Sequence, residues 1–189
     1  RRVYGRADAF VVLAAEFRQT LTELGIRAPM FMETTLVDDA VFDAGVESTS
    51  ASATFEVLYL GRLDQGKGLQ EAIDAFVRLQ AQWPATTLTI AGDGPERSGI
   101  EADVQARGLN GVTFLGHVDG PDKAVLFQRA QVYLFTSLAE GMPNSVLEAM
   151  AFGLPIVTRP VGGLRDFFEN GRMGFATESR DPAIWAELL

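Results

Sequence analysis

The chain lacks several residue types and segments on which whole classes of function depend. Its 189 residues include no cysteine, which excludes a disulfide framework, a thiolate metal site and a thiol nucleophile. His117 is the only histidine, and without a cluster of histidine and aspartate a zinc site is not expected. No apolar run approaches the roughly 20 residues that a membrane-spanning helix requires. The sequence therefore favours a protein whose chemistry depends on oxygen and nitrogen side chains.

Basic residues are also scarce. The chain has 16 lysines and arginines against 25 aspartates and glutamates, which gives a formal net charge of -9. So acidic a chain is unsuited to binding nucleic acid through a basic face, and we expect no nucleic-acid partner. We expect a cytoplasmic protein without transmembrane segments, and peripheral association with the inner face of the membrane stays open for the full protein.

Short apolar runs alternate with amphipathic stretches along most of the chain, and 47% of the residues are hydrophobic. This alternation predicts an α/β fold with a doubly wound, mainly parallel, Rossmann-like sheet and helices on both faces. The predicted strands are Ala9–Leu13, Met30–Met32, Phe55–Leu60, Thr87–Ala91, Val112–Leu115, Val132–Phe135, Pro155–Thr158 and Gly174–Ala176. The predicted helices are Ala15–Leu24, Leu69–Gln82, Pro95–Arg107, Pro121–Arg129, Asn144–Phe152, Leu164–Asn170 and Ala183–Leu189.

The most informative segment runs from Glu140 to Glu148. Glu140 follows a predicted strand, and Glu148 lies about one turn inside the helix that Pro143 can open. Two carboxylates thus face one loop, where Gly141 permits close approach and the helix N-terminal amides are free. Carboxylates accept hydrogen bonds from hydroxyls, and amides donate to phosphates. The segment therefore favours a ligand that is both a polyol and a phosphate, such as a nucleotide-sugar.

Arg62 and Lys67 flank a glycine-rich turn, Gly61–Gly68, between a predicted strand and a predicted helix. A bidentate guanidinium and a mobile ammonium suit a diphosphate whose charge grows as a glycosidic bond breaks. The turn also fits the G-x-x-x-x-G-K pattern of a P-loop, but Gly68 stands where a serine or threonine would hold magnesium. A P-loop nucleoside triphosphatase is therefore disfavoured.

The segment from Ser137 to Val157 resembles the donor-site signature of retaining glycosyltransferases of the GT-B fold, the glycosyl transferases group 1 or family 4. Further matches follow in the order of that family, and the resemblance covers roughly residues 54 to 176. It implies transfer of a sugar from a nucleotide-diphosphate sugar to an acceptor hydroxyl with retention of configuration. The further matches are Gly61-Arg62-Leu63 with Lys67-Gly68, Gly92-Asp93-Gly94-Pro95, Phe114-Leu115-Gly116, Gly162-Gly163, and Asn170-Gly171 with Gly174.

The same resemblance implies roles for individual residues. Arg62 and Lys67 would neutralise the leaving diphosphate, and Glu140 would orient the donor sugar, which makes these three the catalytic candidates. Glu148 would accept hydrogen bonds from the ribose, and His117 matches a loop that borders the nucleobase. Neither a metal ion nor a cofactor is expected. The complete expected nucleotide-sugar site is Gly61, Arg62, Lys67, His117, Glu140, Gly141, Met142, Pro143, Asn144, Ser145, Val146 and Glu148.

The resemblance also divides the chain into three parts. Residues 1–42 are expected to be a remnant of the N-terminal, acceptor-side domain, residues 43–53 a linker, and residues 54–189 the nucleotide-sugar-binding domain, truncated at its C-terminus. A glycan or lipid-linked acceptor would bind mainly through the missing domain, so we expect this chain alone to bind the donor without transferring the sugar. Two alternatives stay open, a nucleotide-sugar epimerase of GT-B fold and a nucleotide-binding module without turnover.

Overall fold

A computed structural model describes residues 7–35 and 54–189 of the chain, so the expected linker, residues 43–53, lies outside the described residues. The first range holds strand β1 (Phe10–Val12), helix α1 (Ala15–Glu23) and strand β2 (Met30–Met32), with β1 and β2 paired in parallel. The second range holds, in chain order, β3 (Phe55–Leu60), α2 (Leu69–Gln82), β4 (Thr86–Ala91), α3 (Arg97–Ala106), β5 (Val112–Gly116), α4 (Gly120–Arg129), β6 (Val132–Phe135), α5 (Asn144–Ala151), β7 (Ile156–Thr158), α6 (Leu164–Phe167), β8 (Gly174–Ala176) and α7 (Pro182–Leu188). Within these two ranges no helix has the length and apolarity needed to cross a lipid bilayer.

The strands of the second range form one parallel sheet in the order β5-β4-β3-β6-β7-β8. The chain runs outward from β3 to β5, crosses back, and then runs outward again from β6 to β8. The strand order therefore reverses between β3 and β6. In doubly wound sheets, ligands bind beyond the carboxyl ends of the strands at such a reversal. The predicted fold class is confirmed, and the fold fixes where a site should be sought.

Side chains alternate between the two faces of the sheet. In β3, Val57 and Tyr59 join the core that includes α2, α3 and α7, whereas Leu58 joins the core that includes α4, α5 and α6. All three side chains are almost fully buried. A sheet covered on both faces requires nearly continuous apolar strands, and the runs seen in the sequence meet that requirement.

Helix α6 is shorter than the sequence predicts. It ends at Phe167 rather than at Asn170, because Phe168 already has extended backbone with a ψ of 123°. The side chain of Asn170 accepts a hydrogen bond from the Ala176 amide at 2.7 Å and so shapes the turn into β8. The other predicted elements are present, with boundaries within two residues of those expected.

Candidate functional site

Two loops meet at the reversal of strand order. The loop after β3, Gly61–Gly68, receives hydrogen bonds from the segment that follows β6: the Leu138 amide donates to the Gly66 carbonyl at 2.8 Å, and the Thr136 hydroxyl donates to the Lys67 carbonyl at 3.1 Å. Gly68 has a φ of +68°, and a Cβ there would collide with the Thr136 backbone. The two loops therefore form one surface at the carboxyl edge, the edge of the sheet where its strands end.

Lys67 and Glu140, which the sequence assigns to one site, are in contact on this surface. The Lys67 Nζ atom donates to Glu140 Oε1 at 2.6 Å, and the side chains are 27% and 17% exposed. The Tyr59 hydroxyl donates to the Lys67 carbonyl at 3.2 Å. Burial and, to a smaller extent, the nearby charges of Glu140 and Asp64 raise the pKa of Tyr59 above its ordinary value, which keeps the hydroxyl protonated. The backbone of Lys67 is thus held by a neutral tyrosine hydroxyl.

Arg62 lies in the same loop but is held differently. Its side chain is 76% exposed and its Nε atom lies 2.8 Å from Asp64 Oδ2. Exposed ion pairs of this kind contribute only about 0–1 kcal/mol to stability, because water competes for both charges. The structure therefore leaves Arg62 free to change partners at little cost.

Glu148 lies in α5 and is 7% exposed. Its Oε1 atom accepts a hydrogen bond from Lys123 Nζ at 2.7 Å, and Lys123 comes from the first turn of α4. The other oxygen, Oε2, is buried and has no hydrogen-bond partner in the described part of the chain. Lys123 was not predicted from the sequence, since no local pattern signals a contact between residues 25 apart in two different helices. The site thus contains a second lysine–glutamate pair and one unused buried acceptor.

The first turn of α5 offers backbone donors beside these side chains. Pro143 precedes the helix and provides no side-chain cap. Among residues 7–35 and 54–189, no acceptor is found for the amides of Asn144 and Ser145, whereas the Val146 amide donates to the Pro143 carbonyl at 3.1 Å. Free amides at a helix start carry partial positive charge. Two of the amides predicted to bind a ligand are therefore free, and the Val146 amide is already used.

The N-terminal range contacts the loop after β6. A Cβ at Gly141 would lie 3.3 Å from Leu13 Cδ1, so this glycine accommodates the segment between β1 and α1. On the same side, Asp166 Oδ2 accepts a hydrogen bond from the Ala15 amide at 2.9 Å and caps α1, which has no cap of its own. Gly141 thus lets the Leu13 side chain approach the loop, and its close approach to a ligand stays a prediction.

His117 follows β5 at the carboxyl edge and is exposed. The neighbouring turn after β4 is hydrogen-bonded to the loop after β3, because the Asp93 carbonyl accepts a hydrogen bond from the Leu63 amide at 2.9 Å. Across the residues that the structure describes, no three histidine, aspartate or glutamate side chains converge as metal ligands would. The polar groups gathered here are thus two lysine–glutamate pairs, an exposed arginine and helix amides.

The pattern of loops and side chains corresponds to a known family. Residues 54–189 match the family model described as glycosyl transferases group 1. The chain belongs to this family. Its second part is the C-terminal domain of a GT-B glycosyltransferase, as the arrangement of the parallel sheet and its helices also indicates.

Similar curated proteins are longer than this chain. It is 34% identical over 182 residues to glycogen synthase from Mycobacterium tuberculosis, which covers 94% of the chain and 43% of that protein. It is 32% identical over 140 residues to D-inositol 3-phosphate glycosyltransferase from Arthrobacter sp., which covers 71% of the chain and 33% of that protein. The chain therefore spans less than half the length of these relatives.

Solved structures share the fold over almost the whole chain. A sucrose-phosphate synthase from Thermosynechococcus elongatus superposes with a TM-score of 0.79 at 26% identity, covering 99% of this chain and 49% of that one. The Anabaena protein HepE, crystallised with UDP and glucose, superposes with a TM-score of 0.79 at 22% identity, covering 99% of this chain and 54% of that one. At such identities the second likeness concerns the fold alone.

Proposed function

We propose that this chain supplies the donor site of a retaining glycosyltransferase that moves a hexose from a nucleotide-diphosphate sugar to an acceptor hydroxyl. The observation that carries the proposal is the Lys67–Glu140 pair at the reversal of strand order, followed along the chain by the free amides of α5 and by the buried Glu148. The UDP and glucose bound to the structurally similar Anabaena protein agree in kind with the ligand proposed for this chain.

The diphosphate is proposed to bind Lys67, Arg62 and the free amides at the start of α5. Lys67 has three N–H donors and can keep its bond to Glu140 while donating to a phosphate. Arg62 can leave Asp64 at little cost and offer a bidentate guanidinium. Because these positive groups all belong to the chain, we propose that nucleotide binding does not require magnesium.

The sugar and the ribose are proposed to bind the two glutamates. Lys67 holds Oε1 of Glu140, so the second oxygen of that carboxylate can accept a hydrogen bond from a hydroxyl of the donor sugar. The Glu148 carboxylate would accept one from the ribose. His117, exposed after β5, is proposed to border the nucleobase.

In the proposed reaction the acceptor hydroxyl attacks the anomeric carbon from the face that the diphosphate leaves. The bond between that carbon and the phosphate oxygen breaks, the new glycosidic bond forms on the same face, and the hydroxyl proton passes to the leaving phosphate. Positioning the acceptor is a large part of such catalysis. We propose that a glycan or lipid-linked acceptor is held mainly by the domain preceding this one, and that the 189-residue chain binds the donor without transferring it.

Thermal-shift measurements with UDP, GDP, ADP and their sugars test the donor site. At 100 times its Kd, a ligand adds about 2.7 kcal/mol to stability, which for a chain of this size raises Tm by about 5–10 °C. We expect one nucleotide series to produce this shift equally with EDTA and with magnesium. If no nucleotide raises Tm at millimolar concentration, the proposal is wrong, and an absolute requirement for magnesium would contradict the proposed role of the cationic side chains.

A further inference from the structure

Lys123 forms an ion pair with Glu148, and the donor site proposed above assigns no role to this lysine. Its Nζ atom lies 2.7 Å from Glu148 Oε1, and the two side chains are 15% and 10% exposed. We propose that Lys123 is a positioning residue that holds the Glu148 carboxylate in one orientation, the orientation in which the carboxylate meets the ribose hydroxyls. This inference rests on the proposed function, and it assigns to Lys123 the preference of the site for a ribonucleotide over a deoxyribonucleotide.

The two oxygens of the Glu148 carboxylate differ in their hydrogen-bond partners. One oxygen has a lysine partner, whereas the other is buried with no partner in residues 7–35 and 54–189. A carboxylate left to rotate would expose either oxygen, and a bound hydroxyl would then meet a disordered acceptor. Because Lys123 engages Oε1, the carboxylate has a single orientation, with Oε2 as the acceptor left over.

The hydroxyl of the neighbouring Tyr133 cannot hold the Glu148 carboxylate in the same way. Tyr133 is close enough for the charge of Glu148 to contribute to raising its pKa, although burial is the main cause. Its hydroxyl donates its one proton to the Leu60 carbonyl at 2.7 Å. In the described part of the chain, Lys123 is the one cation within ion-pair distance of Glu148.

The backbone of Lys123 is well anchored. The N-cap residue of α4, Asp119, accepts a hydrogen bond from the Gly120 amide at 2.8 Å. Directly after Lys123, Ala124, Leu126 and Phe127 are buried in the core beneath the helix. The fold therefore fixes the backbone of Lys123, and the ion pair with Glu148 fixes its ammonium group, as a positioning residue requires.

The test compares the dissociation constants of a ribonucleoside diphosphate and its 2′-deoxy and 3′-deoxy forms, using whichever of UDP, GDP and ADP binds most tightly. Wild-type chain should prefer the ribonucleotide over at least one deoxy form by about tenfold or more, since a hydrogen bond to a charged group is lost. In Lys123→Met this ratio should fall to within about threefold, whereas Lys123→Arg, which keeps a cation, should preserve it. The Kd for inorganic pyrophosphate, which has no ribose, should change by less than twofold in both variants.

Arg129→Met is the matched control. Arg129 is the last residue of the same helix and pairs with Glu56 instead. A purely structural role for Lys123 predicts that both methionine variants lower stability and leave the ribose preference unchanged. Should Lys123→Met fail to fold, Lys123→Ala, which removes both the charge and the donor, serves for the same comparison.

The outcomes separate this inference from the proposed function. If wild-type chain discriminates between the ribose forms and Lys123→Met discriminates equally well, Lys123 has no positioning role and the donor site stands. The same conclusion follows if Arg129→Met loses the preference to the same extent. If wild-type chain binds none of the three nucleoside diphosphates, the proposed function fails, and the inference fails with it.

Discussion

Two glutamates in this protein are equally buried and differ in what satisfies them. Glu56 in β3 and Glu148 in α5 are each 7% exposed. Both oxygens of Glu56 are used, since they accept hydrogen bonds from Arg129 at 2.9 and 3.0 Å and one also accepts from the Thr89 hydroxyl at 2.6 Å. Only one oxygen of Glu148 is used, by Lys123. The two carboxylates therefore differ in their count of satisfied oxygens and not in burial, and we predict that this difference separates the structural carboxylate from the one that binds a ligand.

Helix α4 supplies the positively charged partner of both glutamates. Lys123 in its first turn reaches Glu148, and Arg129 at its end reaches Glu56. Glu56 is the second residue of β3 and lies near the amino ends of the strands, away from the reversal loops. One end of α4 thus pairs with a glutamate whose two oxygens both have partners. The other end pairs with a glutamate that has a partner on one oxygen only.

The largest expected effect is on stability, at the pair of Glu56 and Arg129. Glu56→Ala removes the acceptor of a buried hydroxyl and of Arg129, so the free energy of unfolding should fall by about 2–3 kcal/mol, a value reduced because Arg129 is half exposed. Urea denaturation measures this fall. Nucleotide affinity of the folded variant should stay within twofold of wild type, and a loss of affinity comparable to that of the site variants would end the distinction between the two glutamates.

The next effect is on diphosphate binding. Lys67→Ala or Arg62→Ala should raise the Kd of a nucleoside diphosphate by about 10–100-fold, because each removes a charge-assisted bond of about 1.5–3 kcal/mol. Binding of the nucleoside without phosphates should change much less, as calorimetry of both ligands will show. Arg172→Ala is the control, since this arginine is 74% exposed and paired with Glu169, much as Arg62 is 76% exposed and paired with Asp64. An equal loss of both ligands in folded variants would contradict the roles assigned to Lys67 and Arg62.

The smallest expected effect is on the stability of α1, whose first amide donates a hydrogen bond to the Asp166 carboxylate. Asp166→Ala leaves the Ala15 amide without its partner, and loss of a helix cap costs about 1 kcal/mol. Hydrogen exchange of the α1 amides should accelerate about fivefold, whereas exchange in β3 and β4 should not change. Asp166→Asn keeps an acceptor oxygen and should restore most of the protection. Unchanged exchange in α1 after Asp166→Ala would show that this contact does not hold the helix.

Much of the fold could be predicted from the sequence because its signals are local. β3 and α2 have the predicted boundaries, Phe55–Leu60 and Leu69–Gln82, since an apolar run, a glycine turn and a helical period specify them without distant partners. Helix α6 was predicted too long: the backbone is already extended at Phe168, and the Asn170 side chain accepts a hydrogen bond from the Ala176 amide across the following turn. The error thus lies beside a turn that contains a longer-range contact.

The site was predictable in its residue types and not in its pairings. The loops carrying Lys67 and Glu140 were expected at one edge, and the structure brings these side chains to 2.6 Å. The partners Lys123 and Asp166 could not be found from spacing, because they meet Glu148 and Ala15 across 25 and 151 residues of chain. The ligand roles of these residues stay predictions.

The most direct test of the central claim is to measure nucleoside-diphosphate affinity and unfolding free energy for the isosteric pair Glu148→Gln and Glu56→Gln. Each variant removes one buried negative charge of equal exposure. The account predicts that Glu148→Gln weakens binding of the tightest of UDP, GDP and ADP about tenfold or more, because a charged acceptor of the ribose is lost. Glu56→Gln should bind within twofold of wild type although it is less stable. Equal affinities in the two variants, or a greater loss in Glu56→Gln, would contradict the claim that the half-satisfied carboxylate at the carboxyl edge is the one that meets the ligand.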